Sequence, residues 1–154
     1  MPNHTINGVE ELKAVAGKDL GSTEWQVMEM KRIRAFANAT GDQQWIHVDE
    51  ERARKESPFG APVAHGYLTL SLVAGNFSKV VLVKGFKLTV NYGCNKVRFP
   101  NPLRANDRYR LTVKAGEVKQ MNEWWETTFL ATVEVEGQPK PACAAECIYR
   151  FLSP

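Results

Sequence analysis

From Gly66 to about Phe77 the chain reads Gly-Tyr-Leu-Thr-Leu-Ser-Leu-Val-Ala-Gly-Asn-Phe, with Tyr67, Leu68, Leu70, Leu72, Val73 and Ala74 separated only by small or polar residues. Wound as a helix, this segment is apolar on nearly every side, and such a helix has to be enclosed by other structure. The C-terminal half of the chain can do the enclosing. Phe86, Leu88, Val90 and Tyr92 alternate with polar or small neighbours, and Val97 and Phe99 continue beyond Gly93, which predicts a long, kinked strand. The alternation returns in Tyr109, Leu111 and Val113, again from Trp125 through Phe129 to Val135, and again from Cys143 through Cys147 to Phe151. Asn106-Asp107, Met121-Asn122 and Glu136-Gly137-Gln138-Pro139 separate these runs with residues that favour turns. The pattern predicts four consecutive antiparallel strands in a strongly curved sheet wrapped around one buried helix, an α+β fold.

The first 62 residues read mostly as helix and loop. Val9, Leu12 and Val15 share one side at helical spacing, and Gly17 is placed to stop that helix. Asp19 to Ser22 reads as a turn and Thr23 to Val27 as a strand. Met30, Ile33, Phe36, Ala37 and Thr40 recur at helical intervals until Gly41. Asp49 can cap a short helix through Lys55, and Ser57 to Pro62 forms a loop stiffened by two prolines.

A length of 154 residues suits one domain spanning 1–154. With 44% hydrophobic and 24% charged residues the balance is that of a globular protein rather than a disordered one. No apolar run approaches the roughly 20 residues that cross a bilayer, and the first residues lack the basic-then-apolar order of a signal peptide. No membrane partner is expected, and the expected location is cytoplasmic. The net charge is +3, and the 20 Lys and Arg are scattered among 17 acids, which argues against a nucleic-acid partner. Cys94, Cys143 and Cys147 are odd in number and are expected to stay thiols.

Asp42 and His47 stand five residues apart, just after a helix that Gly41 ends, on a segment that can aim both inward. A carboxylate and an imidazole gripping one water can take a proton from it and deliver another to carbon. Taken alone, the spacing leaves Asp42 readable as a turn residue and His47 as a packing residue. Gly66 opens the buried helix, where backbone N–H groups are unpaired and the helix dipole is positive, so it can hold an oxyanion. It can equally be a residue kept small for close packing. Cys143 and Cys147 would face one side of a strand but lack further Cys or His partners at metal-binding spacing, so they read as core and no metal site is expected. Trp124 and Trp125 would point to opposite faces, one into the core.

Together, Phe36-Ala37-Asn38-Ala39-Thr40-Gly41-Asp42, Trp45-Ile46-His47, Pro62-Val63-Ala64-His65-Gly66 and Phe99-Pro100-Asn101-Pro102-Leu103-Arg104 with Asn106-Asp107 resemble the MaoC-like, (R)-specific enoyl-CoA hydratase family. The likeness runs from about Val27 to the C-terminus. It implies a hot-dog fold, paired as a homodimer through sheet edges with acyl-CoA bound near the interface. It also implies roles: His47 as the main base on a water, Asp42 passing a proton to the α carbon, and the Gly66 N–H on the thioester oxygen. The implied reaction adds water to a trans-2-enoyl-CoA to give the (R)-3-hydroxyacyl-CoA, reversibly. It needs no metal or redox cofactor, CoA being part of the substrate.

Substrate-binding candidates are Gln44, Trp45, His65, Lys96, Arg98 and Arg104. Gln44 and Trp45 stand where many members have Asn and Pro; the amide is kept on a longer arm, and the indole can line the acyl pocket or pack in the core. Lys96, Arg98 and Arg104 can meet CoA phosphates or simply be solvated. Two rivals keep the fold: an acyl-CoA thioesterase and a non-catalytic acyl-CoA-binding subunit. The first generally needs a carboxylate on or near the buried helix, and Gly66 to Asn76 holds no Asp or Glu; retention of both Asp42 and His47 weighs against the second.

Overall fold

The computed structural model describes residues 1–154. Its elements run β1 (His4–Asn7), α1 (Gly8–Ala14), β2 (Asp19–Ser22), β3 (Gln26–Val27), α2 (Met30–Thr40), α3 (Trp45–Val48), α4 (Glu50–Glu56), α5 (Gly66–Val80), β4 (Val81–Lys84), β5 (Leu88–Arg98), β6 (Arg108–Met121), β7 (Trp124–Val135) and β8 (Cys143–Leu152). The greasy segment forms α5, and the long strands after it form a hot-dog sheet around it, as the resemblance implies.

The strands alternate as their sequences demand. In β8 the residues Cys143, Ala145, Cys147, Tyr149 and Phe151 are buried and their neighbours are partly exposed, because successive side chains point to opposite faces and only one face meets the helix. On α5 the residues Leu68, Leu72, Val73, Phe77 and Val80 are buried. Phe77 lies 4.8 Å edge-on from Phe129 and 4.8 Å from the stacked ring of Tyr149. Each fully buried side chain of this kind contributes roughly 1.5–3 kcal/mol. The opposite face of α5 stays open in the single chain: Tyr67 is 74% exposed, so the helix is enclosed on one side rather than all round. Trp125 packs against the core, as expected for one of the two adjacent tryptophans.

The strand order departs from a simple run. Strands β6, β7 and β8 are joined in sequence, but β5 pairs with β8 and not with β6, giving β2-β6-β7-β8-β5. The reason lies in the link between β5 and β6. Its two prolines, Pro100 and Pro102, cannot close a tight hairpin of ladder hydrogen bonds. Instead the link crosses the mouth of the sheet, where Leu103 O accepts from Ala64 N (2.7 Å), Ala105 N donates to Pro62 O (2.9 Å) and Asn106 N donates to Met28 O (2.8 Å).

Other differences are local. Asp19–Ser22 is not a turn but the edge strand β2, paired with β6. One buried residue, Leu20, is too little alternation to read, and the ladder is set by β6. The strand expected over Thr23 to Val27 shrinks to β3, while Thr23 keeps to β6 through Leu111, its N–H on Leu111 O (2.8 Å) and its hydroxyl accepting from Leu111 N (3.0 Å). β1 pairs in parallel with β4, a contact between segments far apart in the chain that local pattern does not reveal. The kink in β5 falls at register shifts beside Gly93 and after Asn95, where Lys96 has φ 43°.

Cys94 faces Cys147 across β5 and β8, their Sγ atoms 3.9 Å apart, and all three cysteines are free thiols.

The Phe77–Phe129–Tyr149 cluster joins helix to sheet. Phe129→Ala should therefore destabilise the protein by about 3–5 kcal/mol, read as a lower urea midpoint with an unchanged slope.

Candidate active site

Helix α2 ends at Gly41, whose left-handed φ of 80° suits glycine and whose N–H closes on Ala37 O (2.9 Å). The chain then turns tightly at Asp42, where Oδ1 accepts from Gln44 N at 3.4 Å. It re-enters the single turn α3, so that His47 sits on a short helix rather than on the loop itself. That turn aims His47 inward, 7% exposed, while Asp42 stays exposed.

The His47 ring is fixed by Val63. Its Nδ1 lies 2.6 Å from Val63 O, and because a carbonyl only accepts, Nδ1 carries the proton and Nε2 is left as the free lone pair. Val63 is itself pinned, its N–H on Ile46 O (3.0 Å) and its backbone bridged to Arg104. Burial holds His47 below the usual histidine range; the Val63 hydrogen bond opposes this, His65 lowers it further and Asp42 raises it. Nε2 therefore stays a base at neutral pH.

His47, Gly66, Ile46, Phe59, Phe99 and Leu103 are among the residues that line a cavity of about 310 Å³ with mainly apolar walls. Gly66 is the first residue of α5, so its N–H has no partner within the helix and lies at the positive end of the dipole. A Cβ at this position would meet the Phe99 ring at 2.9–3.2 Å. Gly66 is thus small for packing reasons as well as open for a ligand oxygen. A larger cleft of about 520 Å³ is polar, lined by residues such as Asn3, Glu24 and Lys79, and holds none of these groups.

The side-chain ligating atoms of Asp42, His47 and His65 lie within 4.8 Å of one another. The two imidazoles are stacked, 3.8 Å between centroids and 22° between planes, so their in-plane lone pairs do not converge as a metal ion requires. A water or a substrate oxygen beside His47 Nε2 fits the arrangement better.

Of the residues singled out in the sequence, Asp42, His47 and His65 come together, and Gly66 shares the cavity with His47, whereas Asp42 and His65 do not line it. Gln44 is exposed at the cap of α3. Trp45 lies beneath the Arg52 guanidinium at 4.2 Å and does not line the cavity. Arg104 is drawn to Asp107, with its N–H at 2.9 Å and its Nε at 3.3 Å from Oδ2. Lys96 and Arg98 line a separate shallow cleft with Glu146. Phe59, Phe99 and Leu103 line the site but do not read as site residues in the sequence, where Phe99 and Leu103 figure only in a strand and in the proline-rich segment of the resemblance and Phe59 only in a loop. The Val63 carbonyl is backbone and carries no residue signal. Burial pushes the Cys143 thiol up to about 11 and Cys147 to about 12, so neither is a ready nucleophile.

A curved antiparallel sheet around one helix is a hot-dog fold, and the relatives of this chain place it among the hydro-lyases. The family model described as MaoC like domain matches residues 11–137, and the chain belongs to this MaoC-like dehydratase family. It is 45% identical over 150 residues to the 3-hydroxyacyl-thioester dehydratase Z of Mycobacterium tuberculosis, covering 97% of this chain and 99% of that one. Its fold is similar to the monoamine oxidase regulatory protein from Archaeoglobus fulgidus (TM-score 0.81, 19% identity, 100% and 99% covered). It is also similar to the R-hydratase PhaJ1 from Pseudomonas aeruginosa (TM-score 0.71, 19% identity, 90% and 83% covered). No helix is long and apolar enough to cross a membrane.

The depressed basicity of His47 is directly measurable. In an NMR titration of the labelled imidazole, its protonation midpoint should fall below the ordinary value of 6.5, and the acid limb of the rate profile should follow it down.

Proposed function

We propose that the chain catalyses the reversible addition of water to a trans-2-enoyl-CoA, giving the (R)-3-hydroxyacyl-CoA. The observation that carries this reading is His47 Nε2, freed by the Val63 carbonyl and facing the same cavity as the Gly66 N–H. The thioester oxygen accepts from Gly66 and gathers charge as the oxygen of water bonds to C3. The proton lost by the water goes to His47 Nε2 and is passed through the Asp42 carboxylate to C2, so the two parts of the water are added across the double bond and both side chains end in the protonation state in which they began. No electron is transferred and no group is carried, so the step calls for no redox cofactor, and CoA enters only as part of the substrate.

The thioesterase alternative is disfavoured because α5 carries no Asp or Glu along Gly66–Val80. The (R) stereochemistry rests on the family likeness. Gln44 acts through its backbone N–H, which donates to Asp42 Oδ1 at 3.4 Å and steadies the carboxylate.

Purified protein given enoyl-CoAs of increasing length should erase the enone absorbance, and 3-hydroxyacyl-CoA should restore it. Asp42→Asn and His47→Ala should each lower kcat by about 10²–10⁴-fold. Full activity in either variant, or release of free thiol at a rate matching hydration, would sink the assignment.

The same reading includes a homodimer. β5 is an edge strand with Leu88 51% and Tyr92 56% exposed, and Phe99 just beyond it is 41% exposed. Uncovered edges of this kind invite pairing. Sedimentation should give twice the 17.3 kDa chain mass; a monomer at micromolar concentration would remove this part of the proposal.

A further inference from the structure

The acid/base scheme leaves one buried histidine unexplained. His65 is 3% exposed, and its ring is held between His47, stacked at 3.8 Å, and Phe36, tilted at 5.0 Å. Nε2 lies 3.0 Å from the backbone oxygen of Asp42. That oxygen only accepts, so Nε2 carries the proton. Nδ1 is then a bare lone pair, buried with no hydrogen-bond partner; a proton there would have no acceptor. The backbone oxygen of His65 takes Thr69 N (3.0 Å) and the Thr69 hydroxyl (3.2 Å), which ties the residue to the first turn of α5. With both faces covered and its one donor in use, the ring is also absent from the cavity lining.

We propose that His65 is a positioning residue that clamps the Asp42 loop against the His47 ring and fixes both to the helix start presenting Gly66. The proposal rests on the reading of Asp42 and His47 as the acid/base pair. One N–H bond holds the exposed carboxylate segment, and one stacked face holds the orientation of the base. The unpartnered Nδ1 is the cost of that placement: a buried acceptor left unsatisfied is tolerated where geometry outweighs stability. Asp42, from the loop, and His65, from the start of α5, are the titratable groups that act on His47, in opposite directions.

The clamp has two separable parts, and two variants divide them. His65→Phe keeps a ring to stack and loses the donor; His65→Gln loses the ring but keeps an N–H that can reach the Asp42 carbonyl. Hydration of an enoyl-CoA should show kcat reduced on the order of 10- to 100-fold in the Phe variant, as misplacement of a catalytic group does. KM should stay within about threefold of the parent value, because His65 touches no substrate in this scheme. The Gln variant should recover part of kcat, since it restores the hydrogen bond to the Asp42 loop but not the stacked face. In the Gln variant, which uncovers one face of the His47 ring, the His47 titration, followed by NMR without substrate, should move up toward the ordinary histidine value as the imidazole becomes less desolvated.

A Phe variant with parental kcat overturns the proposal, as does a folded Gln variant no better than the Phe variant. If the Phe variant fails to fold, the Gln variant and its titration decide: an unmoved His47 midpoint overturns the clamp. If the parent protein hydrates no enoyl-CoA, the function reading fails by itself. The titration then still judges the clamp.

Discussion

The enclosure of one face of α5 by the curved sheet is the interaction on which the rest of the structure depends. Phe77 is wedged between Phe129 and Tyr149, with Leu72, Val73 and Val80 packed in the same core. Once the helix is locked along the sheet, its first residue, Gly66, is locked at one end of it. The strand order then decides what surrounds that end. Because β5 lies beyond β8, the chain has to cross back to start β6, and the crossing passes over the start of α5. Phe99 and Leu103 thereby become walls of the cavity. The pocket is a consequence of topology before it is a feature of any motif.

Within that frame the two catalytic candidates have been given opposite environments. His47 lines the cavity and is buried, which disfavours its charged form, while the hydrogen bond from Nδ1 to the Val63 carbonyl leaves Nε2 as its free nitrogen. Asp42 is exposed on a turn. A buried neutral imidazole is suited to take a proton from water, and a solvated carboxylate beside it is suited to pass that proton on. The division of labour follows from burial rather than from residue type. Had both groups been equally buried, nothing in the geometry would separate base from donor.

The sequence pattern discloses the helix, the long strands and their facing sides, because each depends on local periodicity: every second residue from Cys143 to Phe151 is buried, as alternation requires. It does not disclose the place of β5, because a strand's neighbour is set by what its connection can span and not by its own residues. β1 and β2 escape it for a related reason, each being four residues long with one buried side chain. At the site, Asp42, His47 and Gly66 can be picked out by residue type and setting. Neither Val63 nor His65 can be given its place in this way, since one acts through a carbonyl and the other through a contact 23 residues away in the chain.

Phe99 links the site to the outside. Its ring lies so close to Gly66 that a Cβ there would have to displace it, and it is 41% exposed and approaches the open Tyr67 edge-on at 6.5 Å. The wall of the cavity is therefore also part of an uncovered apolar surface that continues along β5 through Tyr92 and Leu88. In the proposed dimer, whatever pairs with β5 also packs against Phe99. The width available beside the Gly66 N–H then depends on the neighbouring subunit as much as on this chain. Acyl-chain preference in such an arrangement is a property of the assembly, whereas the proton chemistry proposed for His47 and Asp42 draws on residues of one chain.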